Sequence, residues 1–172
     1  LSAMGRGIVL ARQNRINEAS AAFDRALAAA PADPLVLREA GAFHYRKGDM
    51  SRADSLLRQA MNLDPRDYMA SFFYARMLDE TGRQAQADKY YAEVLRYVPE
   101  DAEVHESYAR SLGKAGKTLD AYIHMTLYSN NKKQTERFFK QAKALADRSP
   151  DRRRFQRLEA AYKERKEIWD KN

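Results

Sequence analysis

The stretch LREAGAFHYRKGDMSRADSLLRQAMNLDP, residues 37–65, decides the fold. Leu37, Ala40, Gly41 and Tyr45 recur at helical spacing, and Gly48 interrupts them where a first helix must stop and turn. Glycine suits that place because it tolerates the left-handed backbone. Ala53, Leu57 and Ala60 then resume the helical pattern, and Pro65 closes it. The stretch therefore reads as a hairpin of two helices. Gly41 lets them approach closely, and Leu57 fills the space beside it, a side chain worth roughly 1.5–3 kcal/mol once buried.

Working outward, a shift of 34 residues superposes the chain on itself. Ala19, Ala53, Ala87 and Ala121 align, as do Phe23, Leu57 and Tyr91. Gly7 and Gly41 align with Ala75 and Ala109, Gly48 with Gly82 and Gly116, and Pro31 with Pro65 and Pro99. Asp33, Asp67 and Asp101 each precede a helical pattern, where a carboxylate accepts from unpaired first-turn amides. Pro34 follows Asp33 as a favourable first helical residue. One such hairpin cannot bury its apolar faces alone; three or more stacked hairpins can.

These positions resemble the tetratricopeptide repeat (TPR). The expected fold is all-α, a right-handed superhelix (α-solenoid) of about four to five hairpins with a C-terminal capping helix. The predicted helices are 1–13, 17–30, 35–47, 51–63, 68–81, 85–97, 102–115, 118–129, 133–147 and 150–169. The array spans 1–149, with repeats at about 1–33, 34–67, 68–101 and 102–133 and an irregular overlapping hairpin at 118–149; the capping helix occupies 150–172. Asn14 stands where the turn glycine is usual. Met125, Tyr128 and Lys133 depart from the pattern in the fourth repeat, so the array changes character near residue 117. Ser149-Pro150 reads as cap and first position of the last helix, whose apolar stripe is Phe155, Leu158, Tyr162 and Trp169.

The order of features after Pro99 is similar to the C-terminal repeat domain of bacterial periplasmic zinc metallopeptidases of the BepA-like type. The residues carrying that resemblance are Glu103 to Ala109, Lys114-Ala115-Gly116, Asp120-Ala121-Tyr122-Ile123-His124 and Tyr128, followed by an arginine-rich closing helix. Ile123 separates Tyr122 from His124, and the family's double tyrosine stands here as Leu127-Tyr128. The resemblance implies a zinc peptidase domain upstream of Leu1, a periplasmic location, and outer-membrane assembly clients as partners. A cytoplasmic, free-standing adaptor is the alternative. The opening Leu1-Ser2-Ala3 lacks an initiator methionine and reads as a fragment or processed product.

Composition narrows the chemistry. With no cysteine there is no disulfide, thiol nucleophile or cysteine zinc site. No apolar run approaches the roughly 18 residues of a membrane span. The net charge of +7 is uneven: residues 1–130 carry 17 Lys and Arg against 17 Asp and Glu, residues 131–172 carry 14 against 7. A uniformly basic nucleic-acid binder does not look like that, and no nucleic-acid partner is expected. His105-Glu106 begins a zincin motif, but Ala109 stands where the second histidine belongs. His44, His105 and His124 are widely separated in sequence and read as packed or surface residues. No catalytic residue, metal ligand or cofactor is expected in this chain.

In tetratricopeptide arrays the first helix of each hairpin lines a groove that binds polypeptide segments. Transferring the groove-facing positions gives Arg38, Ala42, Tyr45 and Arg46, then Met69, Phe72, Arg76 and Asp79, then Glu106, Arg110 and Lys114. Guanidinium forks grip carboxylates, and rigid aromatics supply contact area. A solvated face with incidental arginines is the alternative. Phe72 and Glu106 stand where a clamp for C-terminal carboxylates would need amides or cations. The basic end, from Lys132 to Arg157, reads as a solvated or docking face, with phosphate contact on nucleic acid or lipid as a rival reading.

Overall fold

The computed structural model describes residues 2–148 and 152–171. Among these residues ten α-helices succeed one another and no strand occurs. They are α1 (Ala3–Arg12), α2 (Ile16–Ala29), α3 (Pro34–Arg46), α4 (Met50–Leu63), α5 (Tyr68–Glu80), α6 (Gln84–Tyr97), α7 (Ala102–Lys114), α8 (Thr118–Tyr128), α9 (Lys132–Ala146) and α10 (Arg152–Lys171). Every helix end lies within about two residues of the sequence-based boundary. The expected cap at Ser149-Pro150, and with it the 149/150 boundary, lies outside the described residues.

The turns and caps form for the reasons the sequence supplied. Gly48, Gly82 and Gly116 have φ of 86°, 77° and 76°, and Asn14 takes the same left-handed turn at 58°. Asparagine is the non-glycine residue that tolerates this region, so the first hairpin keeps its turn without the glycine. The Asp33 carboxylate accepts from the amides of Leu35 and Val36 at 2.9 and 3.1 Å. Asp67 does the same for Met69 and Ala70, and Asp101 for Val104. Each cap is worth about 1 kcal/mol.

The chain divides into two compact units, Leu1–Val94 and Leu95–Asn172. In the first, α1 pairs with α2 and α3 with α4, and the first helices α1, α3 and α5 pack in succession. A Cβ on Gly41 would lie 2.8 Å from Leu57 Cγ, and one on Gly7 3.0 Å from the Phe23 ring. The small-over-large contact read from the repeat is therefore physical. Phe23 stacks on Phe43 at 4.9 Å inside a core that includes Leu10, Leu37, Leu56 and Ala60. In the second unit α8 packs against α7, α9 and α10. Ala142, Ala146, Phe155 and Leu158 form one buried cluster there, and Ala109, Leu112 and Ala121 another.

Candidate functional site

Six of the eight principal groove residues expected from the sequence lie on α3 and α5 of the first unit, and they fall into two kinds. Tyr45 and Phe72 are buried, at 5% and 3% exposure. The Tyr45 hydroxyl donates to Glu80, and burial, reinforced by that carboxylate, pushes its pKa up to about 12. Phe72 meets Tyr91 edge-on at 6.2 Å. The guanidinium of Arg76 lies over both buried rings, 5.8 Å from Tyr45 and 5.7 Å from Phe72. Arg46 lies likewise over the half-buried Phe73, at 5.3 Å. A guanidinium resting on a ring is held in place, at roughly 0.5–1 kcal/mol per contact, and Arg76 is held further by a hydrogen bond with the Tyr45 side chain.

Arg38 is already committed within the fold. It donates to Glu39 through Nε and Nη2, and to Asp67 through Nη1 at 2.9 Å. Burial opposes its charge, but Glu39 and Asp67 outweigh that and hold its pKa above the ordinary value. Because Asp67 also caps α5, Arg38 ties α3 to the start of the next hairpin. Met69 is half-buried, Ala42 is fully buried, and Asp79 is 7% exposed. Arg110 and Lys114 lie on α7 in the second unit, both exposed, with Arg110 paired to Glu106 at 3.1 Å.

The sequence reading missed an imidazole pair. His105 and His124, far apart in sequence, meet with their Nδ1 atoms 2.7 Å apart. His105 Nε2 lies 2.9 Å from the Pro99 carbonyl, which can only accept, so Nε2 carries the proton. The Nδ1 of neutral His105 must then accept from His124 Nδ1–H. The ring of Tyr128 stacks on His105 at 3.3 Å and 4°, and Tyr108 sits 4.8 Å from His124. His105 is 4% exposed, and burial pulls its pKa below the usual 6.5. The repeat register pointed only to the neighbourhood of the Tyr128 stack and not to the histidine pair. Antiparallel helices trade one residue forward for one back, so Gly7 against Phe23 and Gly41 against Leu57 put Ala109 against Met125. One turn away, His105 then falls against Ser129, beside the Tyr128 ring that stacks on it, and the register does not bring it to His124.

His44 contrasts with it. This ring is fully buried, and neither nitrogen has a hydrogen-bond partner. Asp49 Oδ2 lies 3.3 Å from Nδ1, near enough for attraction but without hydrogen-bond geometry. Burial first, then Arg52 and Lys47, lower its pKa. Among the described residues no three His, Cys, Asp or Glu gather as a metal site would require.

At the basic end several cations are engaged internally. Lys132 pairs with Asp170 at 2.6 Å and Arg154 with Asp120 at 2.8 Å. Arg165 donates to the carbonyls of Thr126, Leu127 and Ser129, capping the C-terminus of α8, and lies over Trp169 at 4.7 Å. Phe155 and Tyr162 stack on Phe139, so this aromatic pair packs inward. Exposed lysines and arginines remain along α9, among them Lys133, Arg137 and Lys140. No helix among the described residues is long and apolar enough to cross a membrane.

Comparison with known proteins agrees with this architecture. Residues 44–110, from the end of α3 into α7, match the family model of the tetratricopeptide repeat. No curated protein sequence matches the chain. Among solved structures, MamA MSR-1 is 21% identical, with 81% of this chain and 76% of that one covered at a TM-score of 0.64. A double mutant of MamA RS-1 is 16% identical over 96% and 93% of the two chains, at 0.66. Thermobaculum terrenum O-GlcNAc transferase is 18% identical over 85% of this chain but 25% of its own length, at 0.59. At these identities the likeness is one of fold: a tetratricopeptide-type stack of helical hairpins.

Proposed function

We propose that this chain is a protein-interaction scaffold that binds polypeptide segments across the face built by α3 and α5. The observation that carries the reading is the placement of Arg46 and Arg76 over Phe73 and over the Tyr45–Phe72 pair. Rings anchored in the core hold the guanidiniums in position, so little side-chain entropy is lost when a partner carboxylate or carbonyl is gripped. Arg38, Tyr45 and Phe72 support that surface from beneath, and Met69 adds apolar area at its edge. Arg110 and Lys114 supply cations for the same role on α7 of the second unit. A phage-displayed random peptide library selected on the chain tests this. Clones enriched by the native chain are expected to lose most of their binding to an Arg46→Glu/Arg76→Glu variant that remains folded at the selection temperature, its melting temperature lowered by the lost ring contacts. Equal retention on both would sink the reading.

The finer assignment, the client-recruiting domain of a periplasmic zinc metallopeptidase acting on outer-membrane assembly components, rests on the resemblance of the segment from Glu103 to Tyr128 and the arginine-rich closing helix. On that reading zinc belongs to the parent's peptidase domain and not to this chain. Sequencing upstream of Leu1 tests it, with an HExxH helix and a signal peptide as the expected findings. A start codon within a few residues of Leu1 would leave the free-standing, cytoplasmic adaptor.

A further inference from the structure

A second feature of the first unit lies at the junction of its first two hairpins, away from the Arg76 rings. The end of α1, the start of α2 and the end of α3 enclose a hollow of about 220 Å³. Its floor is the stacked pair Phe23 and Phe43, and its walls include Ile8 and Ile16, the latter 38% exposed. Exposed aliphatic surface over a buried aromatic floor is energetically unfavourable in water and is relieved by an apolar side chain placed upon it.

The rim of this hollow is cationic. Arg12, Arg46 and Lys47 stand around it, and none has an acidic partner among the described residues. Lys47 leans over the Phe43 ring at 5.8 Å. The one acid on the rim, Glu39, is already matched by two N–H groups of Arg38. Two helix C-termini converge here, α1 at Arg12 and α3 at Arg46. Each contributes roughly half a negative charge, so dipole capping accounts for only part of the three cations. A net positive rim therefore remains around an apolar centre.

We propose that this hollow seats one large apolar side chain of a partner polypeptide whose flanking residues are acidic. The inference rests on the polypeptide-binding reading and gives it a sequence preference: the apolar residue enters over Phe43, and carboxylates on either side meet Arg12, Arg46 and Lys47. The cations make the encounter salt-dependent, and the hollow supplies the selectivity that charge alone lacks.

The probe is an N-acetylated, C-amidated octapeptide, GDDLFDDG, titrated into the isotope-labelled 172-residue chain and followed by amide chemical shifts. Shifts are expected at Ile8, Ile16 and Phe43. Affinity should fall by about tenfold or more for GNNLFNNG, for GDDGSDDG, and for the native peptide on an Arg12→Glu/Lys47→Glu variant. Both substituted side chains are exposed but lie at helix C-termini, and Lys47 also rests on Phe43, so the melting temperature of that variant should fall by a few degrees while the chain stays fully folded at the titration temperature. Equal binding of GDDGSDDG would reveal diffuse charge attraction and overturn the proposal. Shifts confined to Tyr45 and Arg76 would overturn it while leaving the scaffold reading intact. No shift with any of these peptides would count against both.

Discussion

The two compact units use one helical-hairpin register but fill it with different chemistry. In the first, glycine sits against a large apolar side chain at Gly7–Phe23 and Gly41–Leu57, and stacked rings complete the core. In the second, the equivalent positions are Ala109 and Met125, and the turn beyond them is filled by His105, His124, Tyr108 and Tyr128. Its closing helix is then fixed by a guanidinium on the α8 carbonyls as well as by Phe155 and Leu158. The repeat fixes which positions face each other, and the residues there decide whether burial or hydrogen bonding holds them.

The largest test of this contrast is truncation at one repeat position in both units. Phe23→Ala should cost about 3–5 kcal/mol, since the ring is 1% exposed and stacked. Met125→Ala should cost less than about 2 kcal/mol, because that side chain is only partly buried. Chemical denaturation of both variants measures the difference, and equal losses would break the comparison.

Glycine substitutions come next. Gly41→Ala pushes a methyl into Leu57 and should destabilise by about 1–3 kcal/mol. Gly113→Ala meets nothing within 4 Å on α7 and should stabilise by about 0.5–1 kcal/mol. A stabilising Gly41→Ala would show that the helices approach less closely than described.

The two buried histidines sharpen the contrast further. His105→Leu removes the acceptor of His124 Nδ1 and the donor to Pro99, and should cost about 1–3 kcal/mol at neutral pH. His44→Leu removes a ring whose nitrogens have no hydrogen bonds, and should be neutral or mildly stabilising. Burial lowers the pKa of both rings below the unfolded value of 6.5. The unfolded chain therefore binds more protons just below that pH, so stability is complete above about pH 6.5 and falls as pH drops beneath it. Melting temperature against pH should show this fall in the native chain and a shallower one in His44→Leu; identical profiles would remove His44 from the account.

Much of the fold was legible because its determinants are local and periodic. Asp33, Asp67 and Asp101 cap, Gly48, Gly82 and Gly116 turn, and the alanine and aromatic positions recur every 34 residues. The candidate site was legible by position only. Helical spacing put Arg38 and Arg76 on similar footings, but Arg38 is held by Glu39 and Asp67 while Arg76 rests on two rings. Such differences depend on rotamers and on partners up to 31 residues away, which a one-dimensional pattern does not carry. The His105–His124 pair was hidden for a related reason: its spacing of 19 matches neither a helical turn nor the repeat.

The most direct test of the central claim is amide hydrogen exchange on the chain with and without a peptide selected from the random library. The account predicts added protection along α3 and α5, centred on Tyr45, Phe72 and Arg76, and lost in Arg46→Glu/Arg76→Glu. Protection confined to the basic helices α9 and α10, unchanged in that variant, would contradict it.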